Sequence, residues 1–154
     1  GDKDSQIELF IRQLELADKL EFPVIIHNRE AGSDVLQILR EKLPPKGGVL
    51  HCYSEDWDYA QKALEMNLYI SFAGNVTYRN ARNLHETAKK MPLDRILIES
   101  ESPFMVPSAY RGKRNKPAYL KATAEFIAEI REISEEEAAE ALYQNSLTFF
   151  NIDE

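Results

Sequence analysis

Two histidines and a glutamate occupy equivalent places in this sequence. His27 ends the apolar run Val24-Ile25-Ile26, His51 ends Gly48-Val49-Leu50, and Glu101 follows Ile96-Leu97-Ile98 by way of Glu99 and Ser100. Imidazole nitrogen with carboxylate oxygen is a usual ligand set for zinc. It also suits manganese or other divalent ions when water completes the shell. The chemistry such a set would serve is hydrolysis by metal-activated water. A histidine at a strand end can instead cap a backbone carbonyl, but two in the same place, joined by a carboxylate, favour the metal.

A second constellation is Tyr110-Arg111-Gly112-Lys113-Arg114-Asn115-Lys116. Arg111, Lys113, Arg114 and Lys116 crowd into one stretch around a glycine that lets backbone approach an anion. The stretch leaves the same strand end as Glu101, so substrate phosphate is the functional reading. The alternative is a solvated loop paired with surface carboxylates. Arg29, two residues after His27, is placed to contact phosphate or to pair with Glu30.

Other residues read as structural. His85 falls in a helical stretch and is expected to be an exposed side chain. Cys52, without a second cysteine, is expected to be a small buried apolar residue. Trp57 and the tyrosines lack the even spacing of a base-stacking platform, and Ser100 and Ser102 lack a histidine–acid partnership.

The elements that must position these groups follow from periodicity. Ile7, Phe10, Ile11, Leu14, Ala17 and Leu20 form the stripe of an amphipathic helix ending before Pro23. Val24–Ile26 reads as a strand covered on both faces. A helix carrying Val35, Leu36, Leu39 and Leu43 runs to Pro44-Pro45, and Gly48–His51 is the next strand. Asp56 is placed to cap a helix bearing Tyr59, Ala60, Ala63 and Leu64. Leu68–Phe72 and Arg95–Ile98 are further strands, separated by a helix marked by Ala81, Leu84, Ala88 and Met91. Ser102–Lys116 has no helical period and reads as a long loop. A helix is expected from Pro117 to Ile130, with proline in its first turn, and Ser134 with Glu137 opens the last. Strand–helix alternation of this kind selects an α/β fold with a parallel sheet, whose functional side chains gather at the C-terminal ends of the strands.

Composition sets the limits. The 154 residues hold 26 acidic and 19 basic side chains, a net charge of −7, with 44% hydrophobic residues. There is enough apolar material for a core, and bulk charge does not hold nucleic acid, so any such site must be local. No apolar run spans a bilayer. The single cysteine and a polar start without signal-peptide features give a cytoplasmic expectation, with no membrane partner.

Three segments together resemble the TatD family of metal-dependent deoxyribonucleases, within the amidohydrolase-like TIM barrels. They are Pro23–Ala31 (PVIIHNREA), Gly48–Ser54 (GVLHCYS), and Ile98–Phe104 (IESESPF) running into Tyr110–Asn115 (YRGKRN). The resemblance implies that His27 and His51 are metal-binding histidines of a site for one or two divalent ions (magnesium, manganese or zinc). It implies that Glu101 binds metal and positions or deprotonates the attacking water, and that DNA is the substrate. Two positions depart from the family pattern: Glu101 stands where aspartate is usual, and Glu55 where glycine is common. The family's His-x-His strand and bridging glutamate do not occur here, and a (β/α)8 barrel typically needs about 250 residues. The expectation is therefore the C-terminal half of a TIM barrel, residues 1–154 as one partial domain. Such a half exposes sheet edges, so it should associate with itself or with a missing N-terminal half. The alternative to an enzyme is a noncatalytic half-barrel that assembles with another chain or keeps partial metal or phosphate binding.

Overall fold

The computed structural model describes residues 2–153. Strands β1 (Val24–His27), β2 (Gly48–His51), β3 (Tyr69–Phe72) and β4 (Ile96–Ile98) form one parallel sheet in the order β1-β2-β3-β4. Helices α1 (Lys3–Leu20), α2 (Gly32–Lys42), α3 (Trp57–Leu64), α4 (Arg82–Lys90), α5 (Leu120–Arg131) and α6 (Glu135–Phe150) flank it. Sequential parallel order requires a helical crossover at each step, and α2, α3 and α4 supply them.

Local signals work as the sequence reads. Asp56 Oδ1 accepts the Tyr59 N–H at 3.0 Å, and Ser134 Oγ accepts that of Glu137 at 3.0 Å. The segment before α5 tightens into a 3-10 turn at Pro117–Tyr119, so the α-helix proper starts later than Pro117. A second short turn, Ser108–Tyr110, interrupts the long loop.

Alternation along each strand separates the two faces of the sheet. Ile26, Leu50, Ile70, Phe72 and Ile96 point to the helices and form the main core with Leu14, Leu39, Ala63, Leu84 and Ile127. The opposite face carries Val49, Tyr69 and Leu97, which close over Phe149 of α6 in a smaller cluster. Asn145 anchors that helix: its buried Nδ2 donates to Leu93 O at 2.7 Å and Ile96 O at 2.8 Å.

The expectation that β1 is covered on both faces is not met. All four residues of β3 are buried, whereas Ile25 on β1 is 61% exposed. β1 is an edge strand, and its inward face lies beyond the reach of the Phe149 cluster. His27 and Ile25 share that open face.

Candidate metal centre

The second face of the sheet also presents the polar side chains at its C-terminal end. β1 and β2 pair in register with His27 opposite His51, and the imidazoles lie 5.9 Å apart, tilted by 43°. From β4 the Glu99 carboxylate reaches back: Oε1 is 2.7 Å from His51 Nδ1, and Oε2 accepts the Cys52 N–H at 3.1 Å. Glu101 Oε2 lies 3.5 Å from His51 Nε2. His51, Glu99 and Glu101 each offer a donor atom within 4.8 Å of the others.

Glu99 Oε1 is buried and has no hydrogen-bond partner, although His51 Nδ1 is within ion-pair distance. A buried carboxylate oxygen without a donor is costly. Two carboxylates converging on an imidazole, with one oxygen unsatisfied, form a donor set that suits a divalent cation.

The backbone at the site is bent to deliver these groups. Cys52 (φ 46°) and Glu101 (φ 50°), both non-glycine, are left-handed, which costs on the order of 1 kcal/mol each. Glu99 and Glu101, two positions apart on either side of Ser100, both reach His51. Burial, then the charges of Glu99 and Glu101, push the Cys52 thiol up to about 11. It stays protonated at neutral pH and is not a thiolate nucleophile.

Pro103–Pro107 seats against the wall of the site. Met105 Sδ lies 3.3 Å from Cys52 Sγ, and Met105 O packs onto Gly74, where a Cβ would come within 2.1 Å. Asn115, the last residue of the YRGKRN stretch, is buried, and its Nδ2 donates to Ser100 O and to Phe104 O. The basic loop is thereby joined to the backbone bearing Glu101. Within it, Tyr110 and Tyr119 stack at 3.7 Å, with Lys113 over the first ring and Lys116 over the second.

Of the residues singled out from sequence, His51 and Glu101 are brought together and the His27 ring adjoins them, exposed. Arg29, Arg111, Lys113 and Arg114 are exposed and make no ion pair among the described residues. Arg29 lines the groove between α1 and α2 that also holds His27. Glu55 hydrogen-bonds Asn28 at 3.0 Å, bracing the exits of β1 and β2. His85 is not the free surface side chain expected: its Nε2 lies 2.9 Å from Val76 O and its ring packs on Phe126. Glu99, not among the ligands expected from the sequence, joins His51 and Glu101 here. The signal for it was parity, since it shares its face with Leu97 and stands directly at the end of β4.

A sequential parallel α/β sheet with imidazole and carboxylate donors at the C-terminal ends of its strands defines an α/β protein of barrel-like build with a candidate metal site at its strand ends. The chain belongs to the family described as TatD related DNase, whose model matches residues 1–151. It is 43% identical over 152 residues to the uncharacterized metal-dependent hydrolase YabD of Bacillus subtilis, covering 98% of this chain and 60% of that protein. It is 44% identical over 152 residues to the uncharacterized metal-dependent hydrolase YcfH of Escherichia coli K12, covering 98% and 57%. The crystal structure of YjjV, a TatD homologue from Escherichia coli K12, superposes with a TM-score of 0.90 at 29% identity, covering 99% of this chain and 60% of that one. The chain thus spans less than two thirds of the length of these relatives. No helix among the described residues is long and apolar enough to cross a membrane.

Proposed function

We propose that this chain carries part of the active site of a divalent-metal-dependent hydrolase that cleaves phosphodiester bonds in DNA. The observation that carries the reading is the convergence of the Glu99 and Glu101 carboxylates on the two ring nitrogens of His51, with Glu99 Oε1 buried. His51, Glu99 and Glu101, with His27 adjoining, would hold the cation, be it magnesium, manganese or zinc, one ion or two. When bound, a divalent cation there supplies Lewis acidity and lowers the pKa of water. Glu101, half-buried at the mouth, is the base that takes the proton of the attacking water. Glu99 fixes the His51 ring through Nδ1 and ties its own second oxygen to the Cys52 amide. Arg111, Lys113 and Arg114, exposed and without an ion pair among the described residues, on the loop that Asn115 ties to the backbone of Ser100, receive backbone phosphates, and Arg29 does so from the β1 side. The family description, TatD related DNase, supports the substrate class. The test is manganese binding followed by a nuclease assay. Metal-dependent cleavage abolished by His51→Ala supports the enzyme, and no cleavage with any of the three metals sinks autonomous catalysis by this chain.

The same reading takes residues 1–154 as one unit, the C-terminal half of a (β/α)8 barrel acting in the cytoplasm. Two observations support the half barrel: the strand order leaves β1 and β4 as open edges, and Ile25 stands exposed on the inward face. A further four-stranded half, from the same polypeptide or from a second copy, would close both edges. Light scattering checks this, and a stable monomer with no tendency to associate would contradict it. A noncatalytic half-barrel that keeps only the phosphate-binding loop is the reading left if metal does not bind.

A further inference from the structure

Met105 is open to solvent and engaged at the same time. Its side chain is 38% exposed, yet Sδ lies 3.3 Å from Cys52 Sγ. Of the other two methionines, Met91 is 1% exposed and Met66 is half-buried. The backbone of Met105 is left-handed (φ 49°), a conformation that persists only where the surroundings hold it. They hold it on both flanks: Met105 O packs on Gly74, and the preceding carbonyl, that of Phe104, accepts Asn115 Nδ2 at 2.7 Å. This seat is tied to each of the two carboxylates of the candidate metal centre by one hydrogen bond. The Cys52 N–H donates to Glu99 Oε2 at 3.1 Å, and the Phe104 N–H donates to Glu101 O at 2.8 Å.

We propose that Met105 is an oxidation site for hydrogen peroxide, and that its sulfoxide unseats the Pro103–Pro107 loop and so loosens the grip of Glu99 and Glu101 on a divalent cation. The effect on the cation rests on the metal reading above. In the reaction a lone pair of Sδ attacks one peroxide oxygen and the O–O bond breaks. The proton on the transferred oxygen passes to the departing hydroxide, which leaves as water. The thioether is oxidised to the sulfoxide and the peroxide is reduced. An apolar side chain thereby becomes a polar one. A sulfoxide is better solvated by water than by a thiol neighbour, so the Met105–Cys52 contact is exchanged for solvent. Cys52 does not compete for the oxygen. Peroxide reacts with a thiolate, whereas burial, with the charges of Glu99 and Glu101, keeps this thiol protonated. A thioether needs no ionisation to react.

The test treats the full chain with hydrogen peroxide in the absence of metal and reads the product by peptide mass, urea midpoint and manganese calorimetry. Oxygen should enter at Met105 before Met66 or Met91. The singly oxidised chain should unfold at lower urea and bind manganese about tenfold more weakly, and methionine sulfoxide reductase should restore both values. Met105→Leu keeps the volume and apolar character of the side chain, so peroxide should leave its midpoint and affinity unchanged. Met105→Gln should show the loss without peroxide. First entry of oxygen at Met66, Met91 or Cys52 overturns the site. A Met105 sulfoxide with the midpoint and affinity of the untreated chain overturns its effect on the loop. If the untreated chain binds no manganese, the metal reading fails, and peptide mass and urea midpoint alone decide whether Met105 is the oxidation site that unseats the loop.

Discussion

Glu99 and His51 meet across a strand that lies between theirs. The carboxylate leaves β4, passes the end of β3, and brings Oε1 to 2.7 Å from Nδ1 of the β2 histidine. Because that oxygen is buried and lacks a hydrogen bond, removing its charge should be felt as metal affinity. Glu99→Gln should bind manganese at least about tenfold more weakly by calorimetry. Affinity equal to wild type would remove Glu99 from the site.

Arg111 and Arg114 make no internal ion pair among the described residues, so their charge is available to phosphate. Replacing both by alanine should lower the slope of log K against log salt for single-stranded DNA by about 1.4, at roughly 0.7 per phosphate contact. An unchanged slope would return the loop to the status of a solvated surface.

Asn115 belongs to the same stretch but is buried and bonds two carbonyls of the loop that follows β4. Asn115→Ala leaves both without their donor and should cost about 1–3 kcal/mol, read from the urea midpoint. It should also weaken DNA binding, because it releases the basic loop from the site.

Gly74 has no room for a methyl group: the neighbouring atoms are backbone, Met105 O and Pro107 N, rather than the tip of a mobile side chain. Gly74→Ala should destabilise by about 1–3 kcal/mol. A wild-type denaturation curve would show that Pro103–Pro107 shifts freely.

Burial, and then the charge of Glu55, push the Tyr59 hydroxyl up to about 12 from an ordinary value near 10. A raised pKa means that the unfolded chain gives up this proton first. The associated stability is therefore present below pH 10 and is lost as pH rises toward 12. The ionised group would also cease to donate to Gly32 O. Tyr59→Phe should lose less stability than wild type across that window, measured as the urea midpoint against pH.

Much of this was legible in the sequence, and the reason differs residue by residue. Helical stripes and apolar runs gave the α/β order because each element satisfies its own period, and His27 and His51 were visible because both end such runs. Exposure of Ile25 was not visible: an edge strand of a parallel sheet has the same β-branched composition as a central one, and only the strand order tells them apart. Glu99 hid behind Glu101 because both share the parity of Leu97, so alternation alone does not say which of the two carboxylates stands against His51. Asn115 looked like one more polar residue in a basic loop, and His85 like a surface histidine. Their partners, the carbonyls of Ser100, Phe104 and Val76, are distant in sequence or carry no side-chain signal.

The meeting of His51 and Glu99 also assigns a task to the strand between them. Neighbouring strands lie about 4.8 Å apart, so β2 and β4 are separated by roughly twice that. The gap is bridged by the length of the two side chains, and the bridge must pass over whatever β3 presents on that face. β3 presents Ser71, small and 5% exposed. The contribution of β3 is thus an arch left open: a Leu or Phe at position 71 would hold the two donors apart without either of them being changed.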